Sequence, residues 1–308
     1  MTSLSFWLPI GGASLISALL YLRVLFVVYE SRKNLAYSSF FFKMTISQGV
    51  IDLGYAVCYL AAVAVTEDGL LGTDIVLAMN DTAMALLVYI YALYFLFAQI
   101  TGVMIITFNR FLAVCWHHSA AFKVMDSAPR WILVSVHLLF PVLLVLHMIW
   151  FPWMKFGVNS SGAIMRIRDA SLTNVTSLET TLFASLAAVF CAGCYLLVLR
   201  KLVASSNSTL FTATTSGARH RRGSSTSLSG IALFFTLCIT AAYYLALFLA
   251  TVTNNPSAGN SVRLFNAPVK LLFCFVQPWV MLITNRPLRK KMAKFFTLSV
   301  STTNSSTR

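Results

Sequence analysis

Residues 83–114 read AMALLVYIYALYFLFAQITGVMIITFNRFLAV and form the longest apolar run in the chain. An α-helix needs about 20 apolar residues to cross a bilayer core of ~30 Å. The run exceeds that length, so it predicts a membrane-spanning helix that is tilted or projects into the cytoplasm. Its one charged residue is Arg110, near the end of the run, where an arginine either reaches the membrane face or has a specific task.

The composition of the whole chain indicates a membrane protein. Of its 308 residues, 58% are hydrophobic and 10% are charged, and the mean hydropathy is +0.78. Soluble domains carry about 25% charged residues, so this chain lacks the polar surface of a soluble protein. The net charge of +14 would suggest nucleic acid as a partner of a soluble protein. Here the basic residues fall between apolar runs, which indicates membrane topology and no nucleic-acid partner.

Seven apolar runs along the chain are long enough to cross a bilayer. All seven are predicted to be helices, because an isolated strand cannot satisfy its backbone hydrogen bonds in lipid. We therefore expect an all-α membrane protein built as a seven-transmembrane helix bundle. The predicted spans are approximately 6–29, 39–65, 83–114, 131–151, 181–203, 230–252 and 265–284.

Lysine and arginine set the expected orientation. With the N-terminus outside, the inner segments contain fifteen of these residues and the outer segments four. Cytoplasmic segments are enriched in both residue types, so we expect the N-terminus outside and the C-terminus inside. This orientation places glycosylation sequons outside at Asn80, Asn159 and Asn174. The six cysteines fall within apolar runs or at an inner end, so no extracellular disulfide is expected.

Three segments lie on the expected cytoplasmic side. Residues 286–298 separate apolar from basic side chains at helical spacing, which predicts an amphipathic surface helix on the anionic inner leaflet of the lipid bilayer. The tail 299–308 is rich in serine and threonine and is expected to be disordered. In the third inner connection, Arg221 and Arg222 precede Ser224 as in sites of basophilic kinases, so Ser224 is the expected phosphorylation site.

Polar side chains inside the spans are candidates for function, because lipid makes them costly. Arg110 ends the third run on the side of the basic segments, where an arginine is able to hold the inner ends of neighbouring helices together. Asp52 falls near the middle of the second run and needs a proton, a paired charge or a hydrogen-bonding partner. Gln99 and Gln277 lie at matching depth. We expect a polar cluster of these three, acting either as a switch element or as a structural hydrogen-bonded knot.

A ligand cavity is expected to open outward between the third, fifth, sixth and seventh spans. A mixed aromatic and aliphatic lining with few polar groups suits small organic molecules. Positions 89, 93 and 96 share one face of a helix because of their spacing. Lys270, in the outer part of the seventh run, reaches either outer solvent or this cavity. The chain shows no catalytic or metal-ligand pattern, so neither an enzyme nor a cofactor is expected. The candidate ligand-binding residues are Tyr89, Leu93, Leu96, Tyr243, Tyr244, Asn266 and Lys270.

Two short motifs resemble those of G-protein-coupled receptors. NRF, formed by Asn109, Arg110 and Phe111, resembles the family's Asp-Arg-Tyr. QPWVM at 277–281 resembles Asn-Pro-x-x-Tyr, with Pro278 in register. The longer phrases ITFNRFLAVCW and QPWVMLITNRPLRKK are similar to those of nematode serpentine chemoreceptors of the gamma superfamily, class V or class gamma.

The resemblance implies a receptor domain over residues 1–298 that binds a small molecule outside and a heterotrimeric G protein inside. Arg110 would be the switch arginine that faces the G protein. Asp52 resembles the family's second-helix carboxylate, and with the two core glutamines and Pro278 it would form a polar switch. The resemblance also implies arrestin and kinases as partners, and a place in the plasma membrane that includes the cilia of sensory cells.

The chain departs from the family pattern at several positions. Asn109 replaces the acidic neighbour of Arg110, a change expected to loosen the inactive lock and raise basal activity. No cysteine occurs at the top of the third span or in the second outer connection, so the family's usual extracellular disulfide is missing. Ala92 stands where amine receptors carry an aspartate, which argues against a biogenic amine as the ligand.

Two alternative functions are weighed against the receptor. An opsin anchors retinal on a seventh-helix lysine seven positions before the motif proline. Lys270 precedes Pro278 by eight positions, and a shift of one residue turns a helical side chain by about 100°. Lys270 is therefore out of register with the lysine of an opsin. A ligand-gated channel or transporter is the other alternative. Seven-helix insect-type odorant channels have the N-terminus inside, opposite to the orientation expected here.

Overall fold

The structure is a computed structural model that describes most, but not all, of the chain. The described backbone covers residues 4–31, 40–66, 77–78, 80, 83–150, 155–158, 164–167, 170–208, 217–253 and 255–293. Within these ranges some side chains are not described, including those of residues 4–8, 61–66, 170–173, 205–208 and 217–229.

In the described ranges, seven long helices correspond to the seven predicted spans, and the expected all-α membrane bundle is confirmed. Six helical segments of the described chain are long and apolar enough to cross a membrane, by length and composition. The remaining helix, α2, has 27 residues and is about 40 Å long. Short helices cover Ala120–Ser127 and Pro256–Arg263. The long helices are α1 (Leu4–Glu30), α2 (Phe40–Thr66), α3 (Met84–Cys115), α4 (Arg130–Val145), α5 (Ala170–Ser208), α6 (Gly217–Val252) and α7 (Asn266–Thr284).

Two of the helices are longer than the apolar runs that predicted them. α5 covers Ala170–Ser208 instead of 181–203, and α6 covers Gly217–Val252 instead of 230–252. An apolar run marks the part of a helix that suits lipid and misses the polar turns that continue it. In the early turns of α5, threonine hydroxyl groups donate to carbonyl oxygens one turn before them, so their polarity is satisfied within the helix.

The connection between α4 and α5 contains structure that the sequence did not predict. The span predicted as 131–151 leaves the α-helical form after Val145 and continues as a 3₁₀ turn, Leu146–Trp150. Such turns are frequent at helix ends. Two antiparallel strands follow, β1 (Lys155–Val158) and β2 (Ile164–Ile167), each too short to give a recognisable alternation. The register pairs Lys155 with Ile167, Phe156 with Arg166, Gly157 with Met165 and Val158 with Ile164.

The helix α3 lies at the centre of the bundle. It packs against α2, α4, α5 and α6, and the ring closes where α1 meets α7. In its candidate membrane span 61% of the residues are buried, against 22–44% in the other five spans. The outer helices turn large apolar side chains outward, such as Leu15 of α1, 62% exposed, and Val189 of α5, 70% exposed. An apolar exterior around a partly polar interior suits a bundle surrounded by lipid.

A short helix over 286–293 follows α7 and matches the start of the surface helix predicted for 286–298. Its apolar side chains Leu288 and Met292 are buried in the bundle core, whereas its lysines and arginines are exposed. Lys291 donates to a serine hydroxyl at the end of α1, 2.6 Å away, so this helix is attached to the bundle. The remainder of that prediction, and the predicted tail, lie outside the described residues. We call this end of the bundle the Arg110 end.

Asn80 attaches the β-hairpin to the start of α3. Its Nδ2 donates to the carbonyl oxygen of Phe156, 2.8 Å away, and its Oδ1 accepts from the N–H of Phe156 at 2.6 Å. The ring of Phe156 is buried with Tyr89, Leu93 and Phe97 of α3. We call this pair of hydrogen bonds the Asn80 clamp. It joins the start of α3 to the connection between α4 and α5, and neither of these two segments contains a cysteine.

Gly102 and His137 organise the contact between α2, α3 and α4. The buried His137 ring lies 2.9 Å from the carbonyl oxygen of Ala98 through Nε2, and 2.9 Å from Ser47 Oγ through Nδ1. A carbonyl oxygen only accepts, so Nε2 carries a hydrogen and donates it. A Cβ added at Gly102 would overlap Gln48 Oε1 and His137 Nε2. The glycine therefore provides the space in which polar side chains join three helices.

The substitution Gly102→Ala is expected to destabilise the protein, because the added methyl group displaces Gln48 or His137 from buried hydrogen bonds. A buried polar group that loses its partner costs about 1–3 kcal/mol. The measurement is the thermal unfolding midpoint of the purified protein in detergent. Gly193→Ala is the matched control, since nothing lies within 4 Å of a Cβ at that position. An equal effect of the two substitutions would contradict this role of Gly102.

The substitution Asn80→Ala is expected to lower the unfolding midpoint, because both backbone groups of Phe156 lose their partner. The free energy of unfolding is expected to fall by about 1–3 kcal/mol. Thr82→Ala is the control: it removes the glycosylation sequon at Asn80 and keeps the amide. If Thr82→Ala is as destabilising as Asn80→Ala, the clamp does not explain the stability of this end.

Candidate functional site

Asp52 lies in the middle of the bundle and receives hydrogen bonds from three helices. Its Oδ1 accepts from Gln48 Nε2 and from Gln99 Nε2, both at 2.9 Å. Its Oδ2 is 2.7 Å from the hydroxyl oxygen of Tyr21, which is also 2.8 Å from Gln277 Oε1. All five side chains are almost completely buried. We call them the core cluster. It joins α1, α2, α3 and α7.

Three members of the core cluster, Asp52, Gln99 and Gln277, were singled out from the sequence by depth. Gln99 is hydrogen-bonded to Asp52, and Gln277 is linked to Asp52 through Tyr21. Gln48 was missed although it precedes Asp52 by four residues, a spacing that places both on one helix face. Tyr21 was missed because a tyrosine in an apolar run carries no comparable signal. The predicted Pro278 is buried next to Gln277 inside α7, where it removes one backbone donor.

Two buried acceptors of the core cluster are unsatisfied within the described part of the chain. Gln48 Oε1 and Gln99 Oε1 have no hydrogen-bond partner among the described residues. A buried unsatisfied acceptor costs about 1–3 kcal/mol. Gln99 Nε2 also reaches Cys274 Sγ of α7 at 3.2 Å, so its hydrogens are already shared between two helices. The cluster is held by hydrogen bonds to Asp52, and the amide oxygens around it are not satisfied by the described residues.

Arg110 lies against an aromatic ring at its end of α3. Its guanidinium carbon is 4.2 Å from the centre of the Phe41 ring of α2. Its Nε and Nη2 are buried and have no hydrogen-bond partner in the described part of the chain. Asn109 is buried beside it and does not pair its Oδ1 with any described group. Phe111 packs against apolar side chains of α5. A cation over a ring is stabilised by about 0.5–2 kcal/mol, less than guanidinium gains from a carboxylate at close range.

Tyr195 of α5 stands opposite Arg110 at the same end. Its hydroxyl is buried and lacks a hydrogen-bond partner among the described residues. The hydroxyl fits against Gly230 of α6, where an added Cβ would overlap it. The ring centre is 5.6 Å from that of Phe234 of α6. Sequence analysis singled out neither Tyr195 nor Gly230, because neither residue type interrupts the apolar pattern. Here α3, α5 and α6 meet around polar groups that the described residues do not satisfy.

A second group of polar side chains lies in the half of the bundle opposite the Arg110 end. The hydroxyl of Tyr243 donates to Asn266 Oδ1 at 3.0 Å, and Asn266 Nδ2 donates to the hydroxyl of Tyr59 at 3.2 Å. Lys270 Nζ is 4.9 Å from the centre of the Tyr59 ring and 6.0 Å from that of Tyr55. The lysine is thus directed toward α2. We call these residues, with Tyr244, the tyrosine cluster.

The tyrosine cluster contains four of the seven predicted ligand-binding residues. Its fourth tyrosine, Tyr244, meets Tyr243 edge to face with ring centres 5.2 Å apart. The prediction omitted α2, because Tyr55 and Tyr59 lie in an apolar run that gives no sign of which face turns inward. The four predicted members are Tyr243, Tyr244, Asn266 and Lys270.

The other three predicted ligand-binding residues are on α3 and have different surroundings. Tyr89 donates to Thr176 Oγ1 of α5 at 2.8 Å. Leu93 packs with Phe156 of the hairpin, and Leu96 belongs to the general apolar core. The structure therefore divides the predicted lining between the tyrosine cluster and the packing of α3 against its neighbours.

The predicted modification sites have different environments. The side chain of Asn174 is exposed near the start of α5. Asn80 uses its amide in the clamp. Asn159 and the side chain of Ser224 lie outside the described residues.

Comparison with known protein families agrees with this architecture. Residues 11–298 match the family described as serpentine type 7TM GPCR chemoreceptor Srv. The match runs from α1 through the helix that follows α7, and the family is one of chemoreceptors rather than of enzymes. No curated protein sequence matches the chain. The predicted resemblance to serpentine chemoreceptors is confirmed, and the chain belongs to the Srv family of serpentine seven-transmembrane chemoreceptors.

Proposed function

We propose that this chemoreceptor binds a small extracellular molecule at the tyrosine cluster and signals through a heterotrimeric G protein at the Arg110 end. Family membership supports a receptor of this type. The observation that carries the signalling proposal is the state of Arg110, whose guanidinium group rests on the Phe41 ring with two buried nitrogen atoms that lack acceptors among the described residues. Such a charge gains hydrogen bonds when a partner offers carbonyl or carboxylate oxygens.

The mechanism is a shift between two arrangements of the same helices. In the arrangement seen here, Tyr195 fills the space at Gly230 and keeps α5 against α6 beside Arg110. When the ends of α5 and α6 separate from α3, the arginine leaves the aromatic ring and its donors reach the G protein. A ligand drives this change only as far as it binds the separated arrangement more tightly.

Helix α7 connects the tyrosine cluster with the core cluster. Asn266 and Lys270 belong to the tyrosine cluster, and Gln277, two turns further along, belongs to the core cluster. A ligand that pulls on the first turns of α7 therefore changes the distance between Gln277 and Tyr21. The core cluster then transmits the shift to α2 and α3, which carry Phe41 and Arg110 on their far turns.

The orientation and cell biology follow from the same proposal. The N-terminus lies outside and the Arg110 end faces the cytoplasm of the plasma membrane, including that of sensory cilia, as the lysine and arginine distribution supports. Glycans are then added at Asn159 and Asn174, and at Asn80 where the clamp permits it. Phosphorylation of Ser224 by kinases recruits arrestin and ends the response.

Arg110→Ala is expected to reduce basal G-protein signalling about tenfold or more, the effect of losing an interaction of about 1.4 kcal/mol or more. The measurement is second-messenger production in cells, normalised to receptor at the surface. Arg263→Ala removes an exposed arginine from the opposite end and is the control for a lost positive charge. Undiminished signalling by Arg110→Ala at normal surface levels would exclude the proposed role.

Lys270→Met and Tyr59→Phe are expected to weaken the response to an activating small molecule about tenfold, because each removes a polar group from the tyrosine cluster. The measurement is the concentration for half-maximal response to an agonist found by screening. Leu186→Ala, at a side chain that is 67% exposed on the outside of the bundle, is the control. Agonist potency that is unaltered in both cluster variants would place the ligand elsewhere.

A further inference from the structure

A histidine and a glutamate face each other between α4 and α5, in the half of the bundle opposite the Arg110 end. His147 lies in the 3₁₀ turn that continues α4, and Glu179 lies in an early turn of α5. His147 Nε2 is 3.3 Å from Glu179 Oε2. The two residues are far apart in the sequence, so a search for ligands at fixed spacing along the chain does not find them.

The contact between His147 and Glu179 does not have the geometry of a hydrogen bond. Both facing atoms are buried, and neither is hydrogen-bonded to a described residue. A hydrogen bond between a charged nitrogen and a carboxylate oxygen is normally about 2.7–2.9 Å long, shorter than the 3.3 Å seen here. Two buried polar atoms therefore lie close together while the described residues leave both of them unsatisfied.

The separation of the two atoms fits two ligands of a single zinc ion. Zn²⁺ binds imidazole nitrogen at about 2.0–2.1 Å and carboxylate oxygen at about 2.0–2.2 Å, with tetrahedral angles between its ligands. Two such ligands on one ion are about 3.3–3.5 Å apart by this geometry, and the observed separation is 3.3 Å. Imidazole also favours zinc over Ca²⁺ and Mg²⁺, which take oxygen ligands.

We propose that His147 Nε2 and Glu179 Oε2 bind a zinc ion that bridges the turn after α4 and the start of α5. The imidazole binds in its neutral form, with its hydrogen on Nδ1, and the carboxylate neutralises part of the charge of the ion. In the described part of the chain no third histidine, cysteine or acidic side chain completes a group of metal ligands here. Water molecules therefore occupy the remaining positions on the ion.

The site lies where ions from solution are able to reach it. The side chains of His147 and Glu179 are 37% and 23% exposed. Glu179 precedes the apolar run 181–203, and His147 lies near the end of the run 131–151, so the pair is close to one edge of the apolar region. In the orientation proposed above this edge faces the outer solution, although the site itself does not depend on that orientation.

A zinc ion at this position would attach α5 to a second helix. Thr176, one turn before Glu179 on α5, accepts a hydrogen bond from Tyr89 of α3 at 2.8 Å. The ion adds a bond from the same part of α5 to the end of α4, and both helices pack on α3. The unfolded chain does not hold the two ligands together, so zinc binding stabilises the folded protein.

The first test is calorimetric titration of the full-length receptor in lipid nanodiscs with zinc chloride, after purification without a polyhistidine tag. The wild type is expected to bind zinc and not magnesium, and His147→Ala and Glu179→Gln are each expected to weaken the binding at least about tenfold. His118→Ala, which removes an exposed histidine at the Arg110 end, is the control and is expected to bind as the wild type does. Zinc binding that is unchanged in both site variants, or absent from the wild type, would overturn the proposal. No agonist or G protein is present, so the result is independent of the proposed function.

The second test remains informative if those variants give too little protein, because it uses the wild type and a variant that keeps a ligand. Cobalt, which takes the place of zinc in tetrahedral sites, is expected to give the visible spectrum of a site with nitrogen and oxygen ligands. Glu179→His replaces the carboxylate with a second imidazole and is expected to bind zinc within about tenfold of the wild type. A cobalt spectrum dominated by thiolate charge transfer would overturn the proposal by assigning the metal to cysteines. Loss of zinc binding in Glu179→His would overturn it as well.

Discussion

Polar groups inside this bundle must find their hydrogen-bonding partners within the protein, because lipid offers none. The carboxyl group of Asp52 meets this constraint by collecting donors from α1, α2 and α3, and Tyr21 extends the network to α7. Sliding any one of these helices along its axis breaks a buried bond and leaves a polar atom in an apolar medium. The relative heights of four helices therefore depend on one side chain, and the apolar contacts of the core fill the space around it.

Most of the fold followed from one physical property, the length of the apolar runs. The length of the apolar runs did not predict the polar turns that continue a helix, as in α5. It also did not predict strands that are too short to show a pattern, as at β1 and β2. In the candidate site, Asp52 and Gln99 were predictable because charged and amide groups are conspicuous in apolar runs. The roles of Tyr21 and Tyr59 were not predictable, because an amphipathic tyrosine side chain occurs facing lipid, facing a headgroup or in the interior.

The tyrosine cluster and the Arg110 end differ in how well their polar side chains are satisfied by hydrogen bonds. In the tyrosine cluster the hydrogen bonds form a continuous chain. The Tyr243 hydroxyl donates to the Asn266 amide, and this amide donates to the Tyr59 hydroxyl. At the Arg110 end, Arg110 and Tyr195 have buried polar atoms without described partners. In the proposed function, the end that receives the ligand is therefore well bonded, and the end that receives the G protein is poorly bonded. A G protein that offers acceptors to Arg110 under this proposal would compensate the desolvation of its buried nitrogen atoms.

The Asn80 clamp has a consequence for the redox behaviour of the protein. All six thiols are free, and the hairpin next to α3 is positioned by an amide rather than by a sulfur–sulfur bond. This attachment needs no oxidant during folding and is not broken by thiol reductants, whose exchange chemistry acts on disulfides alone. The attachment of the hairpin to α3 is therefore retained in reducing surroundings.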